Sequence, residues 1–192
     1  MNKEILKRKE SFIITAIETL DELGVQGLTT RELAKREGVS EPALYRQFNS
    51  KDDIILAVVE EFSKYDSNII NTILENDMSF MEGILYFAGT YSDYYQGYSQ
   101  IASVMYSSDF YRNSTKANEK MKIVFERRFN FIKSFIEKAE QKEEIKFEIS
   151  SEELADIIIG IIHSITYFWK TRDSSENLKG KIKRSLEFVL KN

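Results

Sequence analysis

The chain has 192 residues with one proline, eight glycines, a single histidine, no cysteine and a net charge of −4. Charged residues at 30% and hydrophobic residues at 42% describe a globular chain rather than a disordered one. The missing cysteines exclude disulfides and thiolate chemistry, and the negative balance gives no whole-molecule attraction for nucleic acid.

The apolar run Phe12–Ile17 is cut short by Glu18, so no signal peptide is read. The most apolar segment, Leu154–Trp169, carries Asp156 and His163 and falls short of the roughly 20 residues a membrane span needs. A cytoplasmic protein without membrane, metal or cofactor is expected. Any Ser-His-Asp chemistry would rest on His163 alone, and no motif supplies its partners, so no catalytic residue is assigned.

The periodicity is helical from end to end, and the expected fold is all-α. Ile5, Phe12, Ile13, Ala16, Ile17, Leu20 and Leu23 fall at three- and four-residue steps on one face of a first helix, stopped by Gly24 and Gly27. Thr29 and Glu32 have the spacing of a capping box for a short second helix, which ends at Gly38, a residue suited to a left-handed cap. Ser40 is positioned to cap a third helix over about 41–48, with Pro42 in its first turn. Ser50 caps a fourth helix that carries Ile54, Ile55, Val58, Val59, Phe62 and Tyr65 in register. That helix could continue through Ile69, Ile70 and Ile73 to Asn76-Asp77.

Ser79 with Glu82 opens a helix to about Tyr98. A short helix near Ala102–Tyr106 and a loop follow, up to Ser114. The next helix is amphipathic, with Met121, Val124, Phe125, Phe129, Ile132, Phe135, Ile136 and Ala139 on one face. Ser150 with Glu153 caps a helix to about Lys170, and a last helix covers about 175–190. The expected organisation is an N-terminal three-helix domain over 1–50 and a C-terminal domain over 51–192, with 51–76 as the linking helix.

Two short helices joined by Gly38-Val39-Ser40 fit a helix-turn-helix and, on spacing alone, equally an ordinary helical hairpin. In the first reading Leu33, Ala34, Val39 and Leu44 face inward. Arg46 and Gln47 then offer hydrogen bonds to base edges, and Pro42 and Ala43 offer contact with a thymine methyl. Glu41 repels phosphate and could only accept from a cytosine amino group.

The stretch from Leu28 to Leu56, LTTRELAKREGVSEPALYRQFNSKDDIIL, resembles the DNA-binding segment of the TetR family of bacterial transcriptional repressors. The resemblance rests on Thr-Thr before helix two, Leu-Ala within it, Gly-Val-Ser in the turn, Leu-Tyr-x-x-Phe in helix three and Lys51 ahead of an apolar helix. It implies a homodimer on a near-palindromic double-stranded operator, the third helix in a major groove, and a C-terminal domain that senses a small molecule. Thr29 or Thr30, and Ser40, would hold phosphates; Tyr45 would place its phenol on the backbone and Lys51 would pin a phosphate. Glu41, Pro42, Ala43, Arg46 and Gln47 occupy the base-reading positions. Gln47 stands where the family often has histidine.

Residues 1–50 carry eight basic and eight acidic side chains, so phosphate neutralisation must be local, through Arg31, Lys35, Arg46 and Lys51.

Seven of the ten tyrosines lie between Tyr86 and Tyr111. Phe80, Ile84 and Phe87 read as core. The phenols need hydrogen-bond partners once buried, so a pocket lined by Phe87, Tyr91, Tyr94, Tyr98, Tyr106, Phe125, Phe129, His163 and Tyr167 is expected for an apolar or aromatic effector. In the helix over 151–170, Leu154, Ile157, Ile158, Ile161, Ile162 and Ile165 form one stripe, and Ile159, Thr166 and Tyr167 flank a second. A second stripe points to another chain, with Gly160 permitting close approach, so helices 151–170 and 175–190 are expected to build a four-helix dimer interface. Lys179, Lys181, Lys183 and Arg184 read as a solvated face. Two other readings stand beside the ligand-responsive regulator. One is an effector-less DNA-binding protein acting through a protein partner; the other is an all-α enzyme using the tyrosine-rich cavity.

Overall fold

The structure, a computed structural model, describes residues 3–106, 114–172 and 174–191. Tyr111, most of the loop before Ser114, and the side chain of Ile5 lie outside the described residues. Among those residues there are ten helices and no strand, so the all-α expectation holds. In chain order they are α1 (Lys3–Gly27), α2 (Thr30–Arg36), α3 (Glu41–Tyr45), α4 (Lys51–Phe62), α5 (Asp66–Glu75), α6 (Phe80–Gly97), α7 (Ser99–Tyr106), α8 (Thr115–Gln141), α9 (Ser151–Thr171) and α10 (Leu178–Lys191). They group into two compact units, Met1–Lys64 with Gln100–Ile123, and Tyr65–Ser99 with Val124–Asn192. The first unit thus extends past residue 50 and takes in α4.

In the first unit α1 packs on α2 and α4, and α2 packs on α3. The inward face of α1 is Phe12, Ala16, Ile17 and Leu20. Leu23, expected on that face, is 49% exposed, because the backbone leaves the helix at Gly24 (φ 64°) one residue later. Phe12 meets Phe48 edge-on at 6.3 Å. Ser11 donates to both carboxylate oxygens of Glu37 at 3.0 and 2.9 Å, and Thr15 donates to the same carboxylate, tying α1 to the end of α2.

Helix α4 ends earlier than its apolar pattern predicts. The Ser63 hydroxyl donates to the Val59 carbonyl at 3.1 Å, and such back-bonding competes with helix continuation. Tyr65, expected in register with Phe62, falls outside the helix and is 41% exposed. A new helix, α5, begins at the buried Asp66.

In the second unit α6 is flanked by α5 and α10, and α9 packs on α10. The capping boxes at Ser79–Glu82 and Ser150–Glu153 both form. Phe80, Ile84 and Phe87 are core as expected. Helix α8 joins through stacked rings: Phe80 on Phe135 at 6.3 Å, Phe135 on Phe131 at 5.7 Å, and Phe131 on Phe87 at 5.7 Å. Gly83 permits that approach, since a Cβ there would lie 2.5 Å from the Phe135 ring.

Helix α9 divides its apolar residues differently from the expected stripes. Leu154, Ala155, Ile158, Ile162 and Thr166 turn inward. Ile157, at 40%, and Phe168, at 49%, are exposed, and Ile161 and Ile165 are half-buried. Helix phase explains the division: Leu154, Ile158, Ile162 and Thr166 repeat at strict four-residue steps, and Ile157, Ile161 and Ile165 follow one residue behind. Among the described residues no helix is long and apolar enough to cross a membrane.

Candidate functional sites

Between α2 and α3 the chain makes a tight, fully bonded turn. Val39 N–H donates to the Ala34 carbonyl at 2.9 Å and Gly38 N–H to the Lys35 carbonyl at 3.2 Å, the double bond of a Schellman ending. It requires a left-handed residue, supplied by Gly38 at φ 65°. Leu33, Ala34 and Leu44 are buried beneath the turn, which fixes how α3 leaves α2.

The capping atoms are only partly as expected. Thr29 accepts from the Glu32 N–H at 3.1 Å, but Glu32 turns to Arg36 at 2.9 Å instead of closing the box. Arg36 also reaches Glu22 at 2.8 Å, and these two carboxylates hold its guanidinium above its ordinary pKa. Ser40 is extended (φ −80°, ψ 150°) and caps through its carbonyl, with no side-chain cap bond. Ser50 caps α4 by accepting from the Asp53 N–H at 3.1 Å. Helix α3 is shorter than expected, since Gln47 N–H bonds the Leu44 carbonyl at 2.8 Å and tightens the last turn.

Of the expected DNA-contacting residues, Thr29, Arg31, Ser40, Pro42, Tyr45 and Arg46 are exposed, and Thr30, Glu41, Gln47 and Lys51 are partly so. Ala43 is the exception. It is buried, because it points with Leu44 toward the first unit's core, and a thymine methyl cannot reach it. Thr30 is also committed: its hydroxyl donates to Glu41 Oε2 at 2.8 Å.

The second unit holds a cavity of about 290 Å³ lined by Phe125, Glu126, Arg128, Phe129 and Asn130 of α8 and Ile159 and His163 of α9. Behind it lies a buried polar cluster absent from the sequence expectations. Arg128 donates Nε and Nη2 to the two oxygens of Asp66 at 2.9 and 2.8 Å. The Tyr91 hydroxyl donates to the same carboxylate at 2.6 Å, Arg127 adds an ion pair at 2.9 Å, and Arg128 Nη1 reaches the Tyr95 hydroxyl at 3.4 Å. The Arg128 guanidinium lies over the Tyr91 ring, 4.4 Å from its centre. Burial, despite the nearby arginine, pushes the Tyr91 and Tyr95 phenols above their ordinary pKa, so both remain protonated. Burial and the positive Arg128 hold His163 down to about 4; its ring meets Phe125 edge-on at 5.7 Å.

Three of the nine residues expected to line one pocket therefore do so: Phe125, Phe129 and His163. Phe87 and Tyr91 are core. Tyr94 is half-buried and packs on Tyr65 at 5.1 Å, Tyr98 caps the end of α6, and Tyr106 belongs to α7 of the first unit. Tyr167 is exposed and packs on Phe168 at 5.4 Å. The signal that could have found Asp66 and Arg128 is helix phase. Asp66 precedes Ile69 and Ile73 by three and seven residues, and Arg128 lies four after Val124 and four before Ile132, so both charges sit in the buried phase.

A groove of about 740 Å³ runs along α9 and α10, lined among others by Ile157, Gly160, Ile161, Ile165, Phe188 and Val189. Phe188 is 73% exposed, and a Cβ at Gly160 would meet nothing within 4 Å. Of the basic residues of α10 expected on a solvated face, Arg184 is exposed while Lys179, Lys181 and Lys183 are half-buried; Lys179 pairs with Asp93, and Lys181 and Arg184 with Glu176. Among the described residues no group of acidic or histidine side chains could hold a metal ion.

Residues 13–58 match the model of the family described as bacterial regulatory proteins, tetR family. The chain is 47% identical over 53 residues to the class C tetracycline repressor protein of Escherichia coli, 28% of this chain and 24% of that protein; it thus spans about a quarter of that relative's length. It is 26% identical over 160 residues to the nucleoid occlusion factor SlmA of Vibrio campbellii, 80% of this chain and 79% of that one. The fold is that of the transcriptional regulator FadR from Bacillus subtilis, solved with stearoyl-CoA, at TM-score 0.80 and 19% identity over 94% of this chain and 97% of that one.

Proposed function

We propose that this chain is a tetR-family protein, on the match of its residues 13–58 to that family, and that it is a dimeric DNA-binding transcription regulator of the cytoplasm, a repressor released from its operator by a small, largely apolar effector. The observation that carries the DNA-binding reading is the division of α3 and its turn: Leu44 and Phe48 are buried while Tyr45 and Arg46 face water. That surface supplies one base-reading guanidinium and one backbone phenol. In this reading Thr29, Ser40 and Lys51 hold phosphates and a second copy of the chain covers the apolar groove of α9 and α10. The two reading helices then enter successive major grooves about 34–36 Å apart, or a multiple of that.

The effector site in this reading is the cavity of Phe125, Phe129, Ile159 and His163. Stearoyl-CoA bound to the structural neighbour FadR supports an apolar chain as the kind of molecule sensed. An effector that prefers the DNA-incompetent arrangement lowers operator affinity, and operator lowers effector affinity by the same factor. Selecting bound sequences from random duplexes tests the proposal: a near-palindromic consensus supports it, and no enrichment at low salt overturns it.

A second reading, a DNA-binding protein acting through a protein partner without an effector, draws on the match to SlmA over 80% of the chain. It is favoured if operator affinity is indifferent to every cavity ligand.

A further inference from the structure

The cavity between α8 and α9 has apolar walls with an unbalanced positive charge behind them. We infer that its occupant is an apolar chain or ring ending in one carboxylate, and that this carboxylate sits against Arg128 and His163. The inference rests on the reading of this cavity as the effector site and adds an acidic group to the chemical class that site accepts.

Charge on the inner wall calls for an anion. Among the described residues, the ionised groups of the buried cluster are Arg127, Arg128 and Asp66, and the Tyr91 and Tyr95 phenols stay protonated. Two guanidiniums thus face one carboxylate, and Arg128 and Asp66 are 4% and 0% exposed. Excess charge held away from water is stabilised by an opposite charge brought to it. His163 feels the same potential, since burial and Arg128 disfavour its imidazolium. The acid of the lining residues, Glu126, is exposed, so water and salt screen it.

Geometry gives that anion its partner. Arg128 lines the cavity. Asp66 takes its Nε and Nη2 at 2.9 and 2.8 Å, whereas Nη1 meets a neutral hydroxyl, that of Tyr95, at 3.4 Å. This last contact is long for a charged donor. A ligand carboxylate at Nη1 would make a charge-assisted bond and leave the Asp66 pair intact. Phe125, Phe129 and Ile159 then cover the apolar body. The volume of about 290 Å³ holds roughly ten water-sized groups at ~30 Å³ each, about the size of octanoate. An alcohol brings no charge to this wall, and an ammonium group adds to its excess.

The test is calorimetric titration of the full-length protein with octanoate, octan-1-ol and octyltrimethylammonium, repeated on Ile159→Trp, which fills the cavity. The magnetic resonance signal of His163, the single histidine of the chain, reports its pKa with and without octanoate. The expected result is octanoate binding at least roughly tenfold tighter than the alcohol or the ammonium, with binding abolished in Ile159→Trp. Bound octanoate should also raise the His163 pKa from about 4, because an anion beside Arg128 favours the imidazolium. If octan-1-ol or the ammonium matches octanoate and Ile159→Trp abolishes both, the charge inference is overturned and the effector site stands. An octanoate complex that leaves the His163 pKa unmoved overturns it as well, since the carboxylate then lies away from Arg128. If none of the three binds, or binding survives Ile159→Trp, the effector-site reading falls and the inference with it. Far-ultraviolet circular dichroism and the thermal midpoint of the unliganded variant check that Ile159→Trp is folded.

Discussion

Thr30 donates its hydroxyl proton to Glu41 across 2.8 Å, joining the first residue of α2 to the first residue of α3. The bond uses up a hydroxyl expected on phosphate and a carboxylate expected on a base, and turns both into a strut between the two helix starts. Thr30→Val and Glu41→Ala should each lower stability by about 1 kcal/mol, and the double variant should lose little more than either alone. Glu41→Ala removes a charge that repels phosphate, so it should change binding to all duplexes alike and leave base preference unchanged. Denaturant unfolding of the four proteins and sequence selection with Glu41→Ala check this; a new base preference would return Glu41 to the readers.

Arg46 and Lys51 separate choice from grip. Arg46 is exposed just after α3, and Lys51 opens α4. Arg46→Ala should cost ~1–3 kcal/mol on operator and relax choice at one or two base pairs. Lys51→Ala should weaken cognate and random duplexes alike and reduce the salt slope by about 1. Titrations at several salt concentrations distinguish them, and equal losses on cognate and random duplex for Arg46→Ala would remove it from base reading.

Asp66 and Arg128 are 0% and 4% exposed, so breaking the pair strands a buried charge. Asp66→Ala should destabilise by ~3–5 kcal/mol, even with Tyr91 left in place. Tyr91→Phe, which removes one bond to a carboxylate that keeps its arginines, should cost only ~1–2 kcal/mol. Urea unfolding orders the two. A mild Asp66→Ala would mean that the second unit relaxes to wet the arginine.

The helices and the turn between α2 and α3 were legible because their causes are local. Caps at Ser50, Ser79 and Ser150, the left-handed Gly38 and the spacing of Leu33, Ala34 and Leu44 lie within a few residues of what they determine. The cavity between α8 and α9 was less legible because its wall is assembled from residues more than 30 positions apart, such as Phe125 and His163. Composition drew attention to the tyrosines, yet Tyr91 and Tyr95 serve the buried charges of Asp66 and Arg128. In the sequence those charges only interrupt apolar stripes, because their partners lie across α5, α6 and α8. The break at Ser63 was hidden for a similar reason: the apolar pattern runs on past it, and a side-chain hydroxyl bonded to its own backbone leaves no mark on periodicity.

His163 links the cavity to pH. Its pKa is held near 4 in the folded protein against about 6.5 in an unfolded chain, so between those values the unfolded state binds the extra proton. Stability therefore rises with pH through that window; the contribution is fully present above about 6.5 and is lost as pH falls toward 4. Arg128 stays charged throughout and Glu126 faces solvent, so neither supplies a compensating anion inside the wall. Wild type should lose roughly 3 kcal/mol more than His163→Gln between pH 7.5 and pH 4, carboxylate titrations being common to both. Denaturant unfolding of the pair across that range measures the difference directly, and parallel curves would mean that the imidazole reaches water in the folded state.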